Sequence, residues 1–385
     1  MAGALYRIPF NRPAPLGREL DYIRDAIEQG QISGDGVYTK RCHALLEQVL
    51  GARRCLLTTS ATHALDLSAL LLDLGPGDEV ILPSFTFVST ANAVVLRGAR
   101  PVFADIREDT LNLDEALLAG LVGDRTRAIF VVHYAGVSCE LDPILELARA
   151  KGLRVVEDAA QALGSRYRGR PLGTLGDLGC ISFHETKNVS CGEGGALVVN
   201  DAALVERAEI MREKGTNRSQ FFRGQVDRYT WVDAGSSFLP SDLLAAFLFA
   251  QLQALAEVAA RRRAIHERYA AGLADLERRG VVRLPRIPAH VESSYHLFYL
   301  LCEDLPTRDR LTAFLKARGI QAVFHYVPLH DSPMARRGGF APGSLPVTER
   351  LAARLLRLPF YNALKAEEQD DVIRAIHDFY GGAGS

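Results

Sequence analysis

At 385 residues the chain exceeds the roughly 250–300 residues at which one hydrophobic core stops growing, so two domains are expected. With 48% apolar and 24% charged residues and a formal net charge of −1, nothing favours nucleic acid or an anionic membrane surface as a partner. No apolar run reaches the ~18 residues of a membrane span. Residues 1–7 lack a signal-peptide core, and the six cysteines show neither a C-x-x-C pair nor zinc spacing. The expectation is a cytoplasmic protein with reduced thiols and no metal site.

From about residue 40 to 250, short apolar runs alternate with helical patterns, the signature of an α/β domain with a mostly parallel sheet. Seven strands are expected, at 55–58, 79–82, 100–103, 128–133, 154–156, 180–183 and 196–199. Helices are expected between them at 61–72, 87–97 and 143–151, closed by Gly75-Pro76-Gly77, Gly98 and Gly152. A long helix should run from Ser241 through Leu252 and Arg261 toward Gly280. Beyond it the pattern changes to a smaller α+β unit, with strands near 295–302 and 321–325 and helices near 311–318 and 367–379. The expected organisation is an N-terminal arm and large α/β domain over 1–250, and a small C-terminal domain over 251–385 beginning within the long helix. The last five residues read as a loose tail.

Ligands of open α/β sheets bind beyond the carboxyl ends of the strands, and four such ends carry chemistry here. The first ends at Thr58-Thr-Ser-Ala-Thr-His-Ala64 and opens a helix, whose free amides and dipole suit a phosphate. Standing alone, the same residues are an ordinary N-cap. The second, Pro83-Ser-Phe-Thr-Phe-Val-Ser-Thr90, offers Phe87 as a stacking face for a flat ring, although aromatics there also suit a core. The third ends in Glu157-Asp-Ala-Ala-Gln161, where an acid could simply cap the next helix. The fourth is Ser182-Phe-His-Glu-Thr-Lys187, followed by Gly192-Glu-Gly-Gly195.

Only six lysines occur, and Lys187 alone has apolar strand before it and glycines after it. A lysine so placed can hold an aldehyde cofactor as a Schiff base if its amine is unprotonated, and burial is one route to that state. An acid in the same crevice sharpens the reading. Pyridoxal phosphate is an electron sink only while its ring nitrogen stays protonated, which a buried aspartate ensures. Asp158 suits that task better than Glu157, because it should point into the crevice, and Gln161 lies within reach of the ring hydroxyl.

Taken together, Ser60-Ala-Thr-His-Ala-Leu65, Pro83 to Asn92, Val155 to Gly164, Ser182 to Asn188 and Gly192 to Ala196 resemble the DegT/DnrJ/EryC1/StrS sugar aminotransferases. The resemblance runs from Ile8-Pro-Phe-Asn11 to Leu358-Pro-Phe-Tyr361 in the family's order. It implies a fold-type I enzyme that depends on pyridoxal phosphate: a mostly parallel seven-stranded sheet in a large domain, plus a small α+β domain. It further implies Lys187 as Schiff-base lysine and proton carrier, Asp158 on the ring nitrogen, Gln161 on the ring hydroxyl and Phe87 against the ring. Ala61, Thr62 and Ser182 would hold the phosphate. Family members are homodimers with shared sites, and Ser237 stands where many relatives place a partner-chain asparagine; Leu239 stands where many have arginine.

The segments 183–188 and 212–227 resemble the branch that makes dTDP-4-amino-4,6-dideoxygalactose, with an axial amine. A preference for arginine and alanine instead suggests a high-GC source, where such enzymes serve antibiotic glycosylation, enediyne-type pathways among them, and gluco amines are common. The expected reaction is therefore transfer of an amine from L-glutamate to C4 of dTDP-4-keto-6-deoxy-D-glucose, giving the equatorial amine. The axial product, a C3-keto sugar or a keto-inositol are the alternatives. Substrate contacts are expected from Phe10, Ser33, His184, Arg218, Arg223, His325 and Tyr326, arginine being suited to a diphosphate. His325 equally fits a packed core position. A metabolite-sensing regulator is disfavoured, since the chain spends its length on one enzyme-sized unit.

Overall fold

The computed structural model describes residues 6–382. Its strands are β1 (Arg54–Thr58), β2 (Glu79–Pro83), β3 (Arg100–Ala104), β4 (Thr126–Val132), β5 (Arg154–Asp158), β6 (Arg166–Tyr167), β7 (Arg170–Pro171), β8 (Leu178–Ser182), β9 (Gly195–Val199), β10 (Val282–Arg283), β11 (Val291–Glu292), β12 (Tyr299–Cys302) and β13 (Leu355–Arg357). Seven of them form one sheet in the order β1-β9-β8-β5-β4-β2-β3. Only β9 runs against its neighbours, so β1, β2, β4, β5 and β8 all end on the same edge.

These strands read as continuous apolar runs because both faces are covered. Alternation along each strand divides the side chains between two cores. Leu57, Ile81, Ile129, Val155 and Ile181 join one cluster with residues of helices Val37–Leu50, Leu141–Lys151 and Asp242–Gln253. Leu56, Val80, Phe130, Val156 and Cys180 join the other, under helices Ala61–Leu71, Val88–Val95 and Val205–Arg212. A third cluster holds Tyr269, Phe298, Leu300, Leu311, Leu356 and Ile376 of the C-terminal part. A fourth, with Phe85, Tyr134, Leu297 and Tyr299, fills the seam between that part and the large sheet.

Three expectations need correction. The long helix expected from Ser241 toward Gly280 is two helices, Asp242–Gln253 and Leu255–Arg278, meeting at 62°. The first buries Ala245, Ala246 and Leu248 in the large-sheet core, while Tyr269, Leu273 and Leu276 of the second face the third cluster, so one straight helix could not serve both. The strand expected at 321–325 reduces to a single bridge between Val323 and Arg357, because backbone groups on either side bond elsewhere: Gln321 N donates to Ile8 O, and Phe324 O accepts from the Arg357 side chain. The strand expected from 295 starts only at Tyr299, since the backbone of Ser294 and Tyr295 bonds the side chains of Ser165, Asn188 and Arg262 instead. Of the expected tail, Gly381 still belongs to helix Ala366–Gly381, and residues 383–385 lie outside those described. Among the described residues no single helix is long and apolar enough to cross a membrane.

Two helices before the sheet, Glu19–Glu28 and Val37–Leu50, escape the sequence pattern. The second has no side-chain cap of its own, because its cap comes from Asp242, more than 200 residues away. The Asp242 carboxylate, 1% exposed, accepts from Tyr38 N at 3.1 Å, Thr39 N at 2.8 Å and Thr39 Oγ1 at 2.7 Å. A Cβ on Gly36 would lie 2.3 Å from that carboxylate, so the approach requires glycine. Asp105 serves helix Pro346–Arg354 in the same way, accepting from Val347 N, Thr348 N and Thr348 Oγ1. Replacing Asp242 by Ala strands two buried N–H groups and a hydroxyl. The expected loss is about 3 kcal/mol of unfolding free energy, read from urea titration, with a smaller loss for Asp242→Asn. A loss below about 1 kcal/mol for the alanine variant would show that the helix start is satisfied another way.

Candidate active site

Along β5, Val155 and Glu157 face one side of the sheet, and Val156 and Asp158 face the other. That alternation separates the two acids. Glu157 is fully buried and consumed by structure: it bonds His133 Nε2 at 2.9 Å and accepts from Gly173 N, Leu175 N and Gly176 N. Burial pushes its pKa up, but His133 and those amides outweigh burial and hold it below the ordinary value. Asp158 lies on the opposite side at the strand end. Its Oδ2 accepts from Thr90 Oγ1 at 2.7 Å, and its Oδ1 from Ala160 N at 3.2 Å. Burial raises its pKa, opposed by Thr90, Ala160 and the charge of Lys187.

Lys187 sits in a loop closed by backbone bonds from Phe183 N to Gly194 O, Glu185 N to Gly192 O and Cys191 N to Phe183 O. Gly192, at φ +86°, makes the return that an L side chain would strain. The next residue is tied to the C-terminal part: Asn188 Nδ2 donates to Ser294 O at 2.7 Å, and its Oδ1 meets His296 Nδ1 at 2.9 Å. Lys187 is half-buried as a residue, yet enclosure of its amine pushes the pKa down to about 8. Asp158 opposes that shift and Arg357 adds to it. A cavity of about 240 Å³ reaches the lysine from the N-terminal segment, lined by Asn11, Arg12, Asn188, Arg262 and Tyr361 among others.

The helix after β1 supplies an anion cradle. Ser60 caps helix Ala61–Leu71 by accepting from His63 N at 3.1 Å, and the amides of Ala61 and Thr62 stand at its open end. Gly195 explains the closeness of β9: a Cβ there would fall 2.3 Å from Ser60 C and 2.4 Å from Ala61 N. Because Gly195 pairs with both Thr58 and Ser182, the Ser182 hydroxyl is delivered beside the same helix start. Thr62 Oγ1 also meets Ser89 Oγ at 2.7 Å. A phosphate at this helix end, an acid at Asp158 and an amine at Lys187 are the three fixtures pyridoxal phosphate needs, so the residues present fit that cofactor.

Other predicted residues divide. Gln161 accepts from Ala135 N at 2.7 Å and donates to Tyr326 OH at 3.0 Å, so Gln161 and Tyr326 act as a pair. His325 is buried, bonded to Tyr134 OH at 3.0 Å, and kept neutral by burial and nearby positive charge. Phe87 precedes helix Val88–Val95, is 56% exposed, and lies 6.3 Å from the Tyr326 ring. His184 bonds Thr186 Oγ1 on its own loop, and Phe10 lies over Arg357. Arg218 and Arg223 are not brought to Lys187 within this chain; they pair with Glu213 at 3.1 Å and Glu209 at 2.7 Å. Ser33 and Ser237 are exposed on loops. Thr90, His133, Asn188, His296 and Arg357 were missed. Thr90 and Asn188 lay inside motifs already noticed; Arg357 carried no local signal.

A sequence model of the DegT/DnrJ/EryC1/StrS aminotransferase family matches residues 16–377. The aminotransferase TlmJ of Streptoalloteichus hindustanus is 35% identical, covers 98% of this chain and 100% of its own, and superposes with a TM-score of 0.90. DesV of S. venezuelae, solved with a ketimine intermediate, is 33% identical over 97% of this chain and 98% of its own, with a TM-score of 0.87. The pyridoxal phosphate form of the sugar aminotransferase Spr1654 from Streptococcus pneumoniae is 27% identical over 99% and 100%, with a TM-score of 0.90.

The lowered pKa of Lys187 is directly readable. In cofactor-free protein, reductive methylation of Lys187, followed by mass spectrometry, should reach half its maximal rate near pH 8, since the amine is neutral above its pKa. Asp158→Asn removes the charge that favours the protonated form, so the midpoint should move lower. A midpoint above about 10, the ordinary lysine range, would contradict this electrostatic account.

Proposed function

Because the chain belongs to the DegT/DnrJ/EryC1/StrS aminotransferase family, we propose that it moves an amine from L-glutamate to C4 of dTDP-4-keto-6-deoxy-D-glucose, giving dTDP-4-amino-4,6-dideoxy-D-glucose with an equatorial amine. The aminotransferases of this family depend on pyridoxal phosphate, which when bound supplies the electron sink for bonds broken at the amine-bearing carbon. The observation that carries the reading is the Lys187 amine, its pKa lowered to about 8 by burial, in the field of the buried Asp158.

Each residue has a task that follows from its surroundings. With the cofactor bound, Asp158, held by Thr90 and Ala160, would meet the ring nitrogen and keep a proton there. Gln161, already anchored to Ala135 and Tyr326, would orient the ring hydroxyl, and Phe87 would cover one ring face. The amides of Ala61 and Thr62 with the Ser182 hydroxyl would hold the phosphate. Lys187 is the catalytic base and acid: it takes a proton from Cα of the amino donor and later delivers one to C4 of the sugar.

A homodimer completes the proposal. Phe222 is 70% exposed and Trp231 78%, with Tyr229 and Val232 beside them in sequence, an apolar display that a second copy would cover. Arg218 and Arg223 ride on that segment and Ser237 follows it, so pairing is what would set them, with Ser33, against a nucleotide sugar. The chain divides into a large domain over 1–250 and a small C-terminal domain over 251–385, with the helix break at Ala254 close to the division. Six buried free cysteines agree with a reducing cytoplasm. A second reading, the axial product, is supported by the resemblance of 183–188 and 212–227 to enzymes that make it.

Lys187→Ala is expected to lower turnover by about 10⁴-fold or more and to remove the long-wavelength absorbance of the bound cofactor. Near wild-type turnover in that variant would defeat the assignment. Proton NMR of the dTDP-sugar product decides the stereochemistry. Large H3–H4 and H4–H5 couplings are expected for the equatorial amine, and small ones would establish the axial product instead.

A further inference from the structure

Arg357 is the last residue of β13, and nothing assigned so far uses it. One of its terminal nitrogens donates to Phe324 O at 3.1 Å, and its guanidinium carbon lies 4.6 Å from the centre of the Phe10 ring. Its Nε is buried and has no hydrogen-bond partner. Among the described residues no carboxylate lies within ion-pair distance of it, whereas arginines such as Arg212 and Arg107 are matched to Asp35 and Asp109. Burial lowers its pKa, and only the phenols of Tyr134 and Tyr326 counter that effect. A guanidinium enclosed without an anion is costly, so the place where the anion would sit is informative.

That place adjoins the lysine loop. Asn11, next to the Phe10 ring that the guanidinium covers, donates to Glu185 O at 3.2 Å, and Phe324, which accepts from Arg357, lies two residues before Tyr326, the partner of Gln161. The charge of Arg357 also disfavours the charged forms of Lys187, His325 and His296. We propose that Arg357 is the anchor for the amino donor, its unpartnered Nε edge receiving the donor's α-carboxylate. This rests on the aminotransferase reading above. An α-carboxylate is one bond from the carbon whose proton Lys187 removes, so its receptor must lie close to that lysine and be enclosed with it. The diphosphate of a nucleotide sugar is separated from C4 by the width of the sugar ring, and belongs farther out. A planar fork also suits a carboxylate better than a point charge does.

Arg357→Gln and Arg357→Lys test this with two readouts. The donor half-reaction is followed by bleaching of the cofactor absorbance at increasing L-glutamate, and binding of the non-reacting dicarboxylate maleate is measured by calorimetry. Arg357→Gln should raise the half-saturating glutamate concentration on the order of tenfold to a hundredfold and abolish maleate binding. Its KM for the nucleotide sugar should change by less than about threefold, in keeping with a surviving neutral subsite. Arg357→Lys keeps the charge without the fork and should fall between; it also decides the matter if the glutamine variant does not fold. Unchanged glutamate saturation in the folded variants would overturn the proposal, as would a larger effect on the nucleotide sugar, which would place Arg357 at the diphosphate. If the aminotransferase reading itself failed, wild-type protein would neither be bleached by glutamate nor consume the keto sugar.

Discussion

An amine and a carboxylate share one buried site, and the architecture around them sets how far each gives up its charge. Burial alone would discharge both groups: it pushes Lys187 down and Asp158 up. Lys187 is left to burial, with Arg357 reinforcing it, and reaches a pKa of about 8. Asp158 is given a hydroxyl from Thr90 and an amide from Ala160, which favour its ionised form. Both groups shift toward the neutral form, Asp158 restrained by its hydrogen-bond donors and Lys187 by the charge of Asp158.

Holding that pair in place falls to contacts of long sequence range. The lysine loop is fastened to the C-terminal part through Asn188, which reaches Ser294 and His296, and through Asn362, whose Nδ2 donates to Asn188 O at 2.9 Å. Buried acids do comparable work farther out. Asp242 receives the start of helix Val37–Leu50, Asp105 the start of helix Pro346–Arg354, and Glu157 the loop before β8. Each satisfies several backbone donors at once, so the segments it joins cannot shift independently without stranding buried N–H groups. The site lies at the seam that these tethers immobilise.

Much of this was legible in the chain. The seven strands of the large sheet stand close to their expected positions, because burial on both faces writes them as short apolar runs between glycine-rich turns. Lys187, Asp158, Gln161 and the Ser60–Thr62 turn were visible because they stand at or just beyond the carboxyl ends of β1, β5 and β8, which lie on one edge of the sheet. The helix break at Ala254 was not visible, since the apolar pattern continues across it and only the two cores it serves require the bend. Helix Val37–Leu50 was missed for a related reason: its capping acid is Asp242, and no local signature marks its start.

By itself the sequence determined the fold class, the family and the order in which the chemical groups arrive along the chain. These depend on local patterns of apolar residues, glycines and short motifs, which remain readable whatever the partners. Only the tertiary structure decided which of two adjacent acids stays free for chemistry, which histidines are neutral packing and which arginine keeps a buried Nε without a partner. Those properties depend on burial and on partners such as Thr90 for Asp158, His133 for Glu157 and Phe10 for Arg357. Spacing along the chain carries no record of such encounters, because a charge is set by what surrounds it after folding.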